Sequence, residues 1–181
     1  MIMRSNHSLV WLVDVQERLL PAIDQGDSVA SACAWLADVA AELEVPVAAS
    51  EQYPKGLGHT VANLEKRLDP GLVLEKTHFS CADAGGCLRA IQQSGRHQVI
   101  LGGIEAHVCV LQTGLGLKRQ GYEVYVVSEA VGSRCPEDKR LALDRLRDNG
   151  VSVVSGEMVA FEWLHQAGTD AFKRVTKGYI S

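Results

Sequence analysis

The sequence predicts an α/β fold, a parallel sheet with helices on both faces, and two observations carry that expectation. Short valine-rich apolar runs recur along the chain, and amphipathic segments fill the intervals between them. Continuous apolar runs mark strands buried on both faces, whereas half-exposed strands alternate apolar and polar residues. Strands that alternate with helices build parallel sheets.

The runs are residues 9–13 (LVWLV), 45–49 (VPVAA), 72–74 (LVL), 99–101 (VIL), 124–127 (VYVV) and 151–154 (VSVV). The clearest helical patterns are 28–44 (SVASACAWLADVAAELE) and 136–150 (PEDKRLALDRLRDNG), with Gly150 placed to stop the second. Gly121 ends the helix before the fifth run in the same way. No repeat, low-complexity tract or linker interrupts the pattern, so residues 1–181 are expected to form one domain. A composition of 46% hydrophobic and 22% charged residues is that of a chain able to bury its own core.

A net charge of −4 at pH 7 gives no support to nucleic-acid binding, which shows as a basic patch or stripe. No run approaches the ~18 apolar residues of a membrane helix. The short apolar run near the N-terminus is interrupted by Asp14 and lacks a small-residue cleavage site, so it reads as a first strand rather than a signal peptide. Cys33, Cys81, Cys87, Cys109 and Cys135 form an odd, scattered set without a CxxC pair, as expected of a cytoplasmic protein with free thiols.

In open α/β sheets ligands bind outside the carboxyl ends of the strands, near the switch in strand order. Three strand ends carry unusual residues: Asp14 after the first run, Glu75 and Lys76 after the third, and GGIEAH leading to Cys109 after the fourth. A thiol in the first turn of a helix has its pKa lowered by the exposed amides, and becomes a nucleophile once a base takes its proton. Asp14 is the candidate base, and Lys76 the cation that holds it and favours the thiolate. Backbone amides at the turn before Cys109 would complete an oxyanion hole. Such a set describes acyl transfer through a thioester, with water as second nucleophile. Taken singly, each residue has an ordinary structural explanation: Asp14 as a turn residue, Lys76 as a surface lysine, Cys109 as small core filler.

The words LVDVQ (12–16), EKTHFS (75–80), GGIEAHVCVLQT (102–113) and GYEVYVVSEAVGSR (121–134) resemble, in this order, the isochorismatase-like cysteine hydrolase family, which includes nicotinamidases and N-carbamoylsarcosine amidases. SEQYPKGLGHTV (50–61) narrows the resemblance to the isochorismatase-domain-containing hydrolases of bacteria and animals. The resemblance implies a three-layer α/β/α Rossmann-like fold whose six parallel strands run in the order 3-2-1-4-5-6. It implies a triad of Asp14, Lys76 and Cys109, and a cis peptide between Ile104 and Glu105 that turns the Glu105 and Cys109 amides into the oxyanion hole. It further implies a homo-oligomer, at least a dimer, acting on a small molecule, with an amide or carbamoyl C–N bond as the target. The competing expectation is a catalytically silent binding or scaffold protein that keeps the fold.

Nicotinamidases bind a metal through an Asp-x-His pair and a further histidine after the second strand. This chain has Gln52 and Pro54 at the pair, and only His59 remains, so neither a metal nor a cofactor is expected. Isochorismatases proper, which hydrolyse a vinyl ether, lack the cysteine, so Cys109 argues against the reaction that named the family. Proximity to the motifs suggests Gln16, Leu20, Gln52, Tyr53 and Phe79 as substrate-binding residues, with His107 nearby in a structural role. Gly114 and Gly116 read as sites of close helix packing, and the cysteines other than Cys109 as incidental. Met158, Phe161, Trp163, Leu164 and Phe172 offer apolar surface for the sheet edge or a partner subunit.

Overall fold

A computed structural model describes residues 1–180. Its six strands are β1 (Ser8–Val13), β2 (Val47–Gln52), β3 (Val73–Lys76), β4 (Gln98–Ile104), β5 (Glu123–Gly132) and β6 (Ser152–Val154). They form one parallel sheet in the order β3-β2-β1-β4-β5-β6, as the family resemblance implied. The helices are α1 (Gly26–Glu42), α2 (Pro54–Leu57), α3 (Ala62–Glu65), α4 (Gly85–Gln93), α5 (Leu111–Arg119), α6 (Pro136–Asp148), α7 (Gly156–Leu164) and α8 (Asp170–Tyr179).

Two apolar cores lie on the two faces of the sheet. Val10 and Leu12 of β1 join residues of α1, α7 and α8 in one core, while Leu9, Trp11 and Val13 join those of α4, α5 and α6 in the other. That division follows from the period of two along a strand. All six residues of β1 are buried, which explains why its sequence runs apolar without alternating.

Two strands begin later than the apolar runs suggest, for local reasons. Pro46 has no amide to donate, so β2 starts after it, with the Val10 amide bonded to the Pro46 carbonyl at 3.0 Å. Asp69 caps the 3₁₀ turn Pro70–Leu72, and β3 starts only at Val73. In consequence Gln52 and Lys76 are the last residues of their strands and lie opposite each other in the ladder.

β1 and β4 flank the point where the strand order reverses. Their approach depends on Gly103, which has φ 116; a Cβ there would lie 2.1 Å from the Val13 carbonyl oxygen. Beyond it the Ile104–Glu105 peptide is cis. The chain then makes one π turn, Ala106–Val110, before α5 begins. Such turns occur within helices and are frequent at functional sites.

Candidate active site

The strand ends bring Asp14, Lys76 and Cys109 together. Asp14 follows β1 with φ 52, a left-handed conformation that Asp tolerates better than most residues. Its side chain and that of Lys76 are both fully buried and form an ion pair of 2.8 Å through Oδ2 and Nζ. The Lys76 ammonium also donates to Gln52 Oε1 at 2.6 Å and to the carbonyls of His78 at 3.1 Å and Phe79 at 3.0 Å. A buried ammonium with this many acceptors stays charged. Burial works against it, but the Asp14 carboxylate, with Cys81 and Cys109 adding to it, holds Lys76 above its ordinary pKa.

Cys109 sits in the π turn and is 5% exposed. Its thiol is not the depressed one that a helix start suggested. Burial, then the charge of Asp14, push its pKa up, and Lys76 only partly offsets them. The thiol therefore holds its proton until a base takes it. Asp14 is the carboxylate beside it, close enough to act on the thiol by charge and hydrogen bonding alike.

The other residues singled out from sequence fall in three groups. Gln16 is fully buried and its amide is fully engaged: Nε2 donates to the carbonyls of Gln52 at 3.0 Å and Gly58 at 2.7 Å, and Oε1 accepts from the Gln52 amide at 2.7 Å. It ties down the 52–58 loop, with both amide protons committed and the side chain fully buried. Gln52 is likewise committed, to Lys76 and to the Thr77 carbonyl at 2.9 Å. Leu20 belongs to the α1-side core with Ile23 and Val29, whereas Cys109 belongs to the core on the other face of the sheet, so the two do not share a cluster. Tyr53 and Phe79 are 56% and 53% exposed and stand free on the loops after β2 and β3. A cleft of about 360 Å³ beside Lys76 is lined by Tyr53, Pro54, Lys55, Glu75 and Thr77. Glu105 is turned outward to Arg134, its Oε2 accepting from that residue's Nε at 2.9 Å, which leaves its backbone rather than its side chain at the turn.

His107 lies off the set, with Nδ1 at 2.9 Å from Ser133 Oγ. His59 is turned to Glu51 at 3.0 Å, and Gln52 Oε1 is taken by an ammonium. The residues at the position of the nicotinamidase metal site therefore do not fit a cation, and among the described residues no three His, Cys, Asp or Glu side chains converge elsewhere. Among the described residues no helix is long and apolar enough to cross a membrane. Gly114 and Gly116 serve close packing as expected: a Cβ on Gly116 would lie 2.7 Å from Ala82 Cβ.

Two residues of the site's wall escaped the sequence. Ser50 donates to Asp14 Oδ1 at 2.8 Å, and Cys81, which had seemed incidental, donates to Ser50 Oγ at 3.4 Å. The only available signal was a polar residue inside the buried strand β2.

A doubly wound sheet with reactive groups gathered at its switch point defines an α/β enzyme class, and comparison with known proteins narrows it. The isochorismatase domain matches residues 8–158, and the chain belongs to this family of hydrolases. It is 37% identical over 171 residues to isochorismatase domain-containing protein 2 of Danio rerio, covering 94% of this chain and 85% of the relative. The structure titled MAR1 ribonuclease from Caenorhabditis elegans is 32% identical with a TM-score of 0.91, over 98% of this chain and 91% of that one. The YcaC gene product of Escherichia coli, titled an octameric hydrolase of unknown specificity, is 22% identical with a TM-score of 0.92, over 99% of this chain and 91% of its own. That last likeness is one of fold.

Proposed function

We propose that the protein is a cysteine hydrolase that cleaves a small amide or carbamoyl C–N bond through a thioester. The observation that carries this reading is the meeting of a buried carboxylate–ammonium pair with a nearly buried thiol at the sheet's switch point.

Asp14 takes the thiol proton as Cys109 Sγ attacks the carbonyl carbon, forming the S–C bond and pushing the C=O electron pair onto oxygen. The amides of Glu105 and Cys109 receive that oxygen. Asp14 returns the proton to the leaving nitrogen as the C–N bond breaks, which leaves an acyl-thioester. Water, deprotonated by the same carboxylate, attacks the thioester; the C–S bond breaks, the acid leaves, and Asp14 returns the proton to Cys109 Sγ. Lys76 stays charged throughout and keeps the carboxylate in place. Tyr53 and Phe79 are the free side chains that can meet a substrate at the rim. The scheme uses neither metal nor cofactor.

A screen of small amides, ureas and ring imides for released ammonia tests this reading, with RNA as a second arm because a relative carries a ribonuclease title. Cys109→Ala should abolish turnover of whichever compound is found while leaving the fold intact. Mass spectrometry should find an acyl or alkyl adduct on Cys109 of the wild type. Wild-type turnover by Cys109→Ala would make the cysteine core filler and the nucleophile assignment wrong, whereas no turnover of any compound, with Cys109 alkylating no faster than an ordinary thiol, would favour the silent-scaffold alternative.

We also infer a cytoplasmic homo-oligomer, from the free thiols and from the apolar side chains that the monomer leaves exposed.

A further inference from the structure

Lys76 accounts for one oxygen of the Asp14 carboxylate; the other is held by groups the proposed mechanism does not use. Ser50 is fully buried in β2 and donates to Asp14 Oδ1 at 2.8 Å. Cys81, also fully buried, donates to Ser50 Oγ at 3.4 Å, and Cys87 of α4 is buried in the same core cluster. A hydroxyl has a single proton. When Ser50 accepts from the Cys81 thiol, its own proton is left for the carboxylate, so the series from Cys81 through Ser50 to Asp14 has one direction.

Cys81 is held in place from α5. Its amide donates to Thr113 Oγ1 at 2.9 Å, and the neighbouring Ser80 hydroxyl donates to the Gln112 carbonyl at 3.3 Å. The small residue at Gly116 is what lets this loop lie against the helix. The ionisable groups facing the carboxylate are therefore Lys76 from β3, Cys81 from the loop after it, Cys87 from α4 and Cys109 from the π turn.

We propose that Ser50, oriented by Cys81, is a positioning residue that sets how readily Asp14 accepts the proton of Cys109. The inference rests on the assignment of Asp14 as base and Cys109 as nucleophile. The proposed mechanism passes one proton between those two groups, so a contact that changes its preference for oxygen or sulfur changes both. A hydrogen bond donated to the carboxylate favours its charged form and leaves the proton on sulfur. Removing the donor moves the proton towards Asp14, which has two linked effects. The pair becomes doubly protonated at a higher pH, and the singly protonated form contains more thiolate.

The test follows carbamidomethylation of Cys109 by iodoacetamide against pH, read by peptide mass spectrometry so that Cys81 and Cys87 are scored separately. The wild-type rate should climb one acid limb to a plateau, and in Asp14→Asn that plateau should vanish, leaving only the rise from the thiol's own ionisation at higher pH. In Ser50→Ala the limb should move up by about one pH unit and the plateau should rise by about the matching tenfold, since both report one proton preference. Cys81→Ala should move both in the same direction by less, and Cys81→Ser, which restores a donor, should return both to wild type. Loosened packing alone would raise the plateau by improving access to Cys109 and leave the limb in place. Wild-type limb and plateau in Ser50→Ala, with near-UV circular dichroism showing a native fold, would overturn the proposal alone. If Ser50→Ala does not fold, the same outcome in Cys81→Ala overturns it. The wild-type limb and plateau retained in Asp14→Asn would overturn the assignment of the base, and the proposal with it.

Discussion

Cys109 keeps its proton at rest, and this makes the surrounding charges, rather than the helix start, the control on its reactivity. Asp14 raises the thiol's pKa by its charge, so Asp14→Asn should let the thiol ionise at a lower pH than in the wild type while turnover falls by orders of magnitude for want of a base. A pH titration of Cys109 alkylation beside an activity assay separates the two effects, and a thiol titrating higher in the variant would contradict the electrostatics. Lys76→Ala acts the other way, pushing the thiol up and stranding the Asp14 carboxylate in the interior. Breaking a buried pair at one partner costs about 3–5 kcal/mol, so urea unfolding should show a loss of that order. Asp14, Lys76 and Cys109 were legible because each interrupts or follows an apolar run at a strand end. Ser50 and Cys81 were not, since a buried serine and a buried cysteine are unremarkable until the β2 and β3 strand ends set them beside the carboxylate.

The loop after β2 shows how one element is fastened so that another can work. Gln16 bridges its two ends, and Glu51, buried at the end of β2, accepts from the Thr60 amide at 2.7 Å and hydroxyl at 2.8 Å. Gln16→Ala leaves the Gln52 amide and two carbonyls without partners and should cost at least about 2 kcal/mol, with faster hydrogen exchange confined to residues 52–60. Burial raises the Glu51 carboxyl, but its bonds to Thr60 and His59 outweigh that and hold it below its ordinary range. Its contribution is therefore complete above that range and lost as pH falls through the depressed value. His59 is held above its ordinary range, chiefly by its hydrogen bond to Glu51, so its smaller, exposed contribution is present below that range and lost as pH rises through the raised value. Protection of the Thr60 amide should peak between the two limits and should lose its acid limb in Glu51→Gln. The existence of the strands could be read from the apolar runs, and their order in the sheet from the family resemblance. Their limits could not, because Pro46 and the Asp69 cap decide where β2 and β3 begin, and no residue pattern announces the π turn before α5.

At the scale of the whole molecule, the apolar C-terminal segment divides between two uses. Trp163 and Leu164 are buried in the monomer's own core, while Met158 and Phe161 of α7 remain 48% and 43% exposed. Light scattering should find at least a dimer at micromolar concentration, and a clean species of 19.6 kDa would rule that out. Gly103→Ala should prevent assembly of the sheet, because its Cβ would meet the β1 backbone in a conformation that disfavours side chains; expression in soluble form measures this. β1 and β4 are neighbours in the sheet yet lie on either side of the exposed turn at Gly95. A backbone cut at that turn puts Asp14 and Lys76 in one fragment and Cys109 in the other, so under the proposed mechanism neither half should turn over substrate and annealing along the β1–β4 seam should restore turnover. Fused to two proteins that bind each other, the halves should behave as a conditional catalyst whose output reports the encounter of its carriers.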